Sequence, residues 1–227
     1  MRICIFDMDG TVLDTIGDIS DALNRSLIKM NKKTHTEEEY KKMVGDGMNV
    51  LCRRAIPDAT DSEVSELISL YKEDYLKNCC VRTKPYEGIE KLISDLDEIG
   101  IKSVILSNKP HIQAIEISDK LKMSNLFLEI LGKKDEFPAK PDPTSILYLI
   151  DKYCKGAEEV VYIGDSNVDM ILGKSVNAYT VGVSWGFRDV CELVESGADE
   201  VANTSDELYN IIKNFFEKKG KKLLTKN

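Results

Sequence analysis

Short apolar runs recur along the chain and predict the strands of a single sheet. Four of them, over residues 3–6, 103–106, 160–163 and 179–183, are rich in β-branched side chains and end at polar or turn-forming residues. Runs of this length and composition are typical of strands that are buried on both faces. A further strand is predicted over residues 127–131.

A different pattern occupies the segment between the first two of these strands. Over residues 16–30 the apolar side chains recur every three or four positions, which is the spacing of one helix face. Two more helices are predicted over residues 48–55 and 62–76, the second with Asp61 as its N-cap. No strand-like alternation occurs over residues 14–84, so we expect this segment to be all helical and to lie outside the sheet.

After this segment, strands alternate with helices. Apolar stripes predict helices over residues 89–99 and 112–121, and Pro143 suits the first turn of another. Strands that alternate with helices form a parallel sheet with right-handed crossovers.

These patterns together predict an α/β fold, in which a doubly wound parallel sheet (a Rossmann-like core) carries an inserted all-helical cap domain. The core is assigned to residues 1–14 and 85–227, and the cap to residues 15–84. The basic tail over residues 218–227 is expected to be a solvated end without a binding role.

Polar side chains follow the strands at the points where the strands end. Asp7 and Asp9 come directly after the first strand, Ser107 follows the second, and Asp165 follows a later one. Because the carboxyl ends of parallel strands meet at one edge, where open α/β sheets bind their ligands, we expect these side chains to lie together. Asp169 comes four residues after Asp165, so on a helix both carboxylates project from one side.

A group of carboxylates at one sheet edge requires positive charge nearby. Asp7, Asp165 and Asp169 offer hard oxygen ligands, which suit a partly hydrated Mg²⁺ ion shared with a phosphate. Lys140 adds a point charge suited to a transferring phosphoryl group. Ser107 offers a hydroxyl that can hold a phosphate oxygen together with neighbouring backbone N–H groups.

Composition excludes several classes of function. The net charge of −8, with 42% hydrophobic and 31% charged residues, argues against nucleic-acid binding, which needs a basic face. No apolar run approaches transmembrane length and no signal-peptide pattern opens the sequence, so we expect no membrane partner. Six cysteines without disulfide-like spacing predict reduced thiols and a cytoplasmic location. With only two histidines, a Ser-His-Asp triad or a His-built metal site is not expected.

The order of the motifs resembles that of the haloacid dehalogenase superfamily, most of whose members are phosphatases. The motifs are Asp-x-Asp-Gly-Thr from residue 7, Ser-Asn-Lys from residue 107, Lys-Pro-Asp-Pro from residue 140 and Gly-Asp-Ser-x-x-x-Asp from residue 164. The resemblance covers the chain except its tail. True dehalogenases lack the second Asp of the first motif, so the presence of Asp9 favours phosphoryl transfer.

The resemblance implies a catalytic role for four of these residues. Asp7 is implied to be the nucleophile that forms an aspartyl-phosphate, and Asp9 the general acid and base. Ser107 is implied to bind the phosphate, and Lys140 to steady the charge between nucleophile and phosphate.

The same resemblance implies Mg²⁺ as the cofactor. Asp7, Asp9 (through its carbonyl oxygen) and Asp165 are implied to be its protein ligands, while Asp169 supports the site whether or not it contacts the metal. Three further residues of these motifs are expected to bind the substrate: Gly10, Thr11 and Asn108.

The predicted cap resembles that of the phosphoglycolate phosphatase branch, both in Asp-Thr-Ile-Gly-Asp-Ile from residue 14 and in the loop Val-Gly-Asp-Gly from residue 44. This implies a small phosphorylated metabolite as the partner, because the cap must close over it. Gly45 and Gly47 are expected to approach the substrate closely. Arg53 or Arg54 is expected to pair with a second anion of the substrate; a solvated helix face is the alternative for both.

Two other functions are compatible with these observations. A sugar-phosphate mutase of the same superfamily returns the phosphoryl group to its substrate, and its dependence on a bisphosphate activator would distinguish it. A signalling receiver domain also accepts phosphate on an Asp beside Mg²⁺, but it would be near half this length and would lack the cap. Phosphoglycolate, pyrophosphate, nucleoside monophosphates and sugar phosphates are all possible substrates, and the chain is expected to be a monomer or a homodimer.

Overall fold

A parallel sheet forms the core of the computed structural model, which describes residues 1–224. In chain order the strands are β1 (Arg2–Phe6), β2 (Leu13–Asp14), β3 (Lys84–Pro85), β4 (Ile101–Pro110), β5 (Glu129–Lys133), β6 (Val160–Gly164), β7 (Tyr179–Val183) and β8 (Glu200–Ala202). Six of them make the sheet in the spatial order β5-β4-β1-β6-β7-β8, and every neighbouring pair is parallel. The remaining two, β2 and β3, form a separate antiparallel ladder.

Helices lie on the sheet and in the segment between β2 and β3. The helices of that segment are α1 (Ile16–Lys29), α2 (Glu37–Met43), α3 (Met48–Ala55) and α4 (Asp61–Asn78). Those that follow are α5 (Ile89–Glu98), α6 (His111–Lys120), α7 (Thr144–Tyr153), α8 (Asn167–Ser175), α9 (Val190–Glu195) and α10 (Ser205–Leu224).

Successive side chains of β1 point to opposite faces of the sheet, and both faces are covered. Ile3 and Ile5 pack in one buried cluster with residues of α7 and α8, whereas Cys4 and Phe6 belong to a second cluster with α5 and α10. All four side chains are fully buried, and burial of a large aliphatic side chain contributes about 1.5–3 kcal/mol. The sheet is therefore doubly wound, which confirms the predicted α/β class.

The four helices between β2 and β3 form the predicted cap, with apolar side chains buried among them. Leu23 of α1, Tyr40 of α2, Leu67 and Tyr75 of α4 are all fully buried. Asp18 fixes the base of the cap, because its carboxylate accepts hydrogen bonds from the backbone N–H groups of residues 81–83, just before the chain re-enters the core.

The structure corrects the predicted start of α4. Its N-cap is Thr60 and not Asp61: Thr60 Oγ1 accepts from the N–H of Glu63, while Glu63 Oε2 accepts from the N–H of Thr60 at 2.8 Å. This reciprocal capping box satisfies two N–H groups that a cap at Asp61 would leave without a partner.

Other elements differ from the sequence-based expectation. The strand predicted over residues 127–131 lies two positions later, as β5. The β2–β3 ladder lies at the ends of the segment predicted to contain no strand, and β8, only three residues long, was not predicted. The basic tail over residues 218–227 is helical as far as Leu224, and its last three residues lie outside the described residues.

Within the described part of the chain, no helix combines the length and apolar character that crossing a bilayer requires.

Candidate active site

Asp7 follows the last residue of β1, and its backbone N–H donates to the carbonyl of Ile163 on β6 at 2.9 Å. Its side chain is buried, and Lys140 Nζ lies 2.8 Å from its Oδ1. Apart from this ion pair, Asp7 Oδ1 has no hydrogen-bond donor among the described residues. A buried carboxylate oxygen in this state is costly unless it binds a cation or a ligand.

Asp165 is held beside Asp7 by contacts from two loops. Thr11 Oγ1 donates to its Oδ1 at 3.2 Å, and the N–H of Phe187 donates to its Oδ2 at 2.8 Å. Gly10 has a φ of +85°, and a Cβ added there would lie 2.2 Å from Asp165 Oδ2. The glycine of the first motif is therefore required for the close approach of this carboxylate.

Asp169 positions Lys140. Its Oδ1 accepts hydrogen bonds from Lys140 Nζ at 2.7 Å and from the Tyr162 hydroxyl at 3.3 Å, and its Oδ2 accepts from Ser166 Oγ at 2.6 Å. Both oxygens thus have protein donors. The side chain holds the ammonium next to Asp7, and the supporting role expected for Asp169 stays a prediction.

Burial and mutual repulsion shift the ionisation of these groups. Burial, with a contribution from the charge of Asp169, raises the pKa of Asp7 to about 7 against the opposing effect of Lys140. Burial and the charges of Asp7 and Asp169 also raise the pKa of Asp165 well above its usual range. Burial disfavours the Lys140 ammonium, but the charges of Asp169 and Asp7 outweigh it, so the pKa of Lys140 is raised well above its usual range.

The cluster fits a divalent cation. Asp7, Asp165 and Asp169 each place a carboxylate oxygen within 4.8 Å of the others, and the Lys140 ammonium contacts two of them, Asp7 and Asp169. Carboxylate oxygens are natural ligands for a hard cation. Asp7 and Asp165 line the cavity, whereas Asp169 is fully buried outside it and paired with Lys140, so Asp7 and Asp165 are the carboxylates that fit a Mg²⁺ ion best.

Asp9 is paired with Lys109, a residue to which the sequence analysis gave no role. Lys109 Nζ donates to both carboxylate oxygens of Asp9 at 2.9 Å. The lysine side chain is 3% exposed, and its ammonium lies 4.9 Å from the centre of the Tyr75 ring on α4 of the cap. A cap residue therefore covers the ion pair.

A cavity between core and cap contains most of the predicted site. Seven of the residues expected at the site line it: Asp7, Asp9, Gly45, Gly47, Ser107, Asn108 and Asp165. The side-chain amide of Asn108 is occupied, since its Nδ2 donates to the Gly45 carbonyl at 2.9 Å and its Oδ1 accepts from the N–H of Lys140 at 2.7 Å. Asn108 thus ties the cap loop and the Lys140 loop to β4 and does not present a free amide to a substrate.

Gly10 and Thr11 do not contact the cavity as expected. The N–H of Gly10 donates to the Leu13 carbonyl at 2.9 Å, and the N–H of Thr11 donates to the Met8 carbonyl at 3.4 Å. With the N–H groups used in the turn and the Thr11 hydroxyl on Asp165, these two residues position a carboxylate; their expected contact with a substrate stays a prediction.

Arg53 and Arg54 also lie away from the cavity. Arg53 forms an ion pair with Asp61, and Arg54 forms one with Asp46 at 2.6 Å. Both guanidinium groups also donate to backbone carbonyls of the cap, at 2.7 Å and 2.8 Å. Both side chains thus have partners within the cap, which favours the solvated-face alternative, and their contact with a substrate stays a prediction.

The face of α3 that does line the cavity is apolar and carries Met48 and Leu51. Two cationic side chains that were not predicted line the cavity instead, Lys109 and Arg188. Lys109 belongs to the Ser-Asn-Lys motif, so its position at a strand end was a usable signal. Arg188 follows no motif, and only the folded chain shows that it reaches the cap, where it donates to the carbonyls of Lys41 and Val44 at 2.6 Å and 2.8 Å.

A parallel α/β core with carboxylates at its strand ends, beneath a helical cap, defines a capped hydrolase of the phosphatase class. Comparison with known proteins agrees with this. Residues 4–183 match the model of the haloacid dehalogenase-like hydrolases, and the chain belongs to this family.

Its similarity to relatives extends over nearly the whole chain. It is 30% identical over 187 residues to a phosphoglycolate phosphatase of Aquifex aeolicus, covering 82% of this chain and 86% of that one. It is 28% identical over 214 residues to a phosphoglycolate phosphatase of Colwellia psychrerythraea, covering 91% and 95%. A crystal structure of a predicted phosphoglycolate phosphatase from Haemophilus somnus shares the fold, with a TM-score of 0.88, 23% identity and coverage of 93% and 97%.

Proposed function

We propose that the chain is a Mg²⁺-dependent phosphatase that hydrolyses a small phosphomonoester through an aspartyl-phosphate on Asp7. The observation that carries this proposal is the buried carboxylate of Asp7, which lines the cavity and whose Oδ1 has no hydrogen-bond donor among the described residues other than its ion-pair partner Lys140. It lies 2.8 Å from the Lys140 ammonium, which can offset the repulsion between a carboxylate and a phosphate dianion.

The proposed reaction has two steps. In the first, an oxygen of Asp7 attacks phosphorus, the bond to the ester oxygen breaks, and Asp9 gives its proton to the leaving alkoxide. In the second, Asp9 takes a proton from a water molecule, which attacks the aspartyl-phosphate and releases inorganic phosphate. Ser107, in the last four residues of β4 and in the cavity wall, would hold a phosphate oxygen.

Asp7 and Asp165, together with the carbonyl of Asp9, would hold the metal ion. When bound, a Mg²⁺ ion would supply the positive charge that lets two anionic groups meet. Thr11 and Phe187 keep Asp165 in place for this purpose, and Asp169 keeps Lys140 in place.

Phosphoglycolate is the substrate that we propose first. The relatives that bear this name match the chain over most of its length. The cavity is lined by apolar cap residues and by the Lys109 ammonium, which suits a small ester with a second negative charge. We also propose a cytoplasmic location, since none of the six cysteines, all in the described part of the chain, forms a disulfide.

A phosphate-release assay over a panel of about a hundred phosphorylated metabolites, with Mg²⁺ present, tests the proposal. We expect phosphoglycolate to give the highest kcat/KM, and excess chelator to abolish the activity. The panel should be repeated with a sugar bisphosphate added, because a mutase would depend on it and a phosphatase would not. A folded protein that releases no phosphate from any compound would contradict the proposal.

A further inference from the structure

Lys109 holds the proposed proton donor in an ion pair that the reaction cannot use as it stands. Its Nζ donates to both oxygens of the Asp9 carboxylate at 2.9 Å. The ammonium takes one acceptor site on each oxygen and thereby fixes the orientation of the carboxylate. A turn of Asp9 toward an ester oxygen therefore requires that at least one of these contacts be exchanged for another.

The surroundings of Lys109 indicate which kind of group could replace Asp9 as its partner. The side chain is 3% exposed, and its ammonium lies against the Tyr75 ring of the cap, so it is largely shielded from bulk solvent. A buried ammonium that leaves one carboxylate needs another anion in reach.

Of the two cations in the cavity wall, Lys109 is the one that can exchange its ion-pair partner. The other one, Arg188, donates to the carbonyls of Lys41 and Val44 in the cap, and these contacts hold the guanidinium in place. Among the described residues that line the cavity, Lys109 is therefore the cation that is not tied to the cap backbone, and its ammonium already lies next to Asp9.

We propose that Lys109 transfers from Asp9 to a second anionic group on the leaving part of the substrate, such as a carboxylate one carbon from the ester oxygen. This inference rests on the proposed function, because it assumes a phosphomonoester in the cavity. Binding of that anion draws Lys109 away, so that Asp9 can take up a proton from water in the cavity and give it to the ester oxygen. Lys109 is then the specificity-determining residue, and an ester without a second anion leaves Asp9 in the ion pair.

The test uses two substrates of nearly equal size that differ in one charge, phosphoglycolate and ethyl phosphate. Their kcat/KM ratio is measured with Mg²⁺ for the wild type, Lys109→Met and Lys109→Arg. A lost contact with a charged group corresponds to about a tenfold change or more, so the ratio should fall at least about tenfold in Lys109→Met. Lys109→Arg, which keeps a cation there, should recover part of it. Lys91→Met, an exposed lysine paired with Asp95 on α5, is the matched control.

A binding measurement separates recognition from proton transfer. Phosphonoacetate and ethylphosphonate differ from each other by one carboxylate charge, as the two esters do. Each carries a P–C bond in place of the ester bond. The ratio of their inhibition constants should favour phosphonoacetate in the wild type and should fall at least about tenfold in Lys109→Met. This ratio is measured with inorganic phosphate release from p-nitrophenyl phosphate as the signal, or by calorimetry for a variant with low activity.

Three results would overturn the inference. One is a parallel loss on both substrates in a folded Lys109→Met, with an unchanged ratio, which would make Lys109 a fixed support for Asp9. Another is an unchanged ratio with unchanged rates. The third is a wild type that does not prefer phosphonoacetate to ethylphosphonate. If Lys109→Met does not fold, Lys109→Gln takes its place. A wild type that binds phosphonoacetate selectively but hydrolyses no ester would contradict the proposed function and leave the role of Lys109 standing.

Discussion

Asn108, at the carboxyl end of a core strand, donates a hydrogen bond from its side-chain amide to the carbonyl of Gly45 in the cap, at 2.9 Å. Arg188 makes a second set of contacts of this kind to the carbonyls of Lys41 and Val44. In both cases a core side chain contacts backbone of the cap. The closed position of the cap therefore depends on which core residues are present and not on the identity of the cap side chains at these contacts.

Removal of these contacts should lower kcat/KM by the same factor for all substrates. We expect Asn108→Ala and Arg188→Met each to lower kcat/KM about tenfold for both phosphoglycolate and ethyl phosphate, because the cap no longer closes over the ester. Steady-state kinetics on the two substrates measures this. Arg54→Met, which removes an ion pair within the cap, is the control and should change kcat/KM less than about twofold. A loss in Arg188→Met confined to phosphoglycolate would instead mean that the guanidinium binds the substrate.

Asp7→Asn should abolish turnover and leave the fold intact. We expect kcat to fall at least about 10³-fold, because the amide cannot form the acyl-phosphate. The folded chain should not be destabilised, since the substitution removes one charge from a buried cluster of three carboxylates and Lys140 keeps its pair with Asp169. Phosphate release and thermal unfolding followed by circular dichroism measure the two effects. A folded variant with more than a few per cent of the activity would exclude Asp7 as the nucleophile.

The effect of Asp9→Asn should depend on the leaving group. Loss of a general acid costs roughly 10²–10⁴-fold when the leaving alkoxide needs a proton. Ethyl phosphate should therefore lose far more activity than p-nitrophenyl phosphate, whose leaving group departs with little protonation. The two kcat values, each relative to the wild type, provide the measurement. Equal losses on both substrates would argue against proton transfer by Asp9.

Mg²⁺ should bind more tightly as the pH rises to about 7. In the metal-free protein, burial raises the pKa of Asp7 to about 7, so at lower pH a proton competes with the metal for this carboxylate. Isothermal titration with Mg²⁺ at pH 5.5, 6.5, 7.5 and 8.5 should show an affinity that increases through the first three values and then levels off. An affinity independent of pH over this range would contradict Asp7 as a ligand.

The raised pKa of Asp7 also predicts how the stability of the metal-free protein depends on pH. The ordinary pKa of an aspartate is 3.8, so between about 4 and 7 the folded chain keeps a proton on Asp7 that the unfolded chain has released. The folded state binds more protons, and the free energy of unfolding should therefore fall as the pH rises through this window. The difference between wild type and Asp7→Asn, measured by urea unfolding in the presence of chelator, isolates this contribution.

The sequence contained enough to predict the catalytic edge of the sheet. Asp7, Asp9, Ser107 and Asp165 each follow an apolar run, and a parallel sheet must bring the ends of such runs together. The strands of the sheet that were predicted correctly rest on the same signal. A run of four apolar positions is compatible with few structures other than a buried strand. β8 gave no such signal, because three residues with an exposed Glu200 resemble a loop.

Which cap side chains face the cavity was harder to predict, although part of the signal was present. On α3, Met48, Leu51, Cys52 and Ala55 follow helical spacing, and Arg53 and Arg54 fall on the opposite side. That pattern favours the solvated alternative for both arginines. The contacts of Lys109 and Arg188 with the cap depend on how two separately folded parts dock, and no local pattern encodes this.

The antiparallel ladder at the base of the cap has a consequence for how such a protein evolves. Leu13 pairs with Pro85 and Asp14 with Lys84, so the chain leaves the core and returns to it through adjacent backbone, at the spacing of neighbouring strands, about 4.5–5.5 Å. An insertion whose two ends are neighbours leaves the register of the sheet unchanged. The whole segment can therefore be exchanged as a module, and the ancestral enzyme could acquire new substrates by replacing the cap while its reaction centre stayed the same.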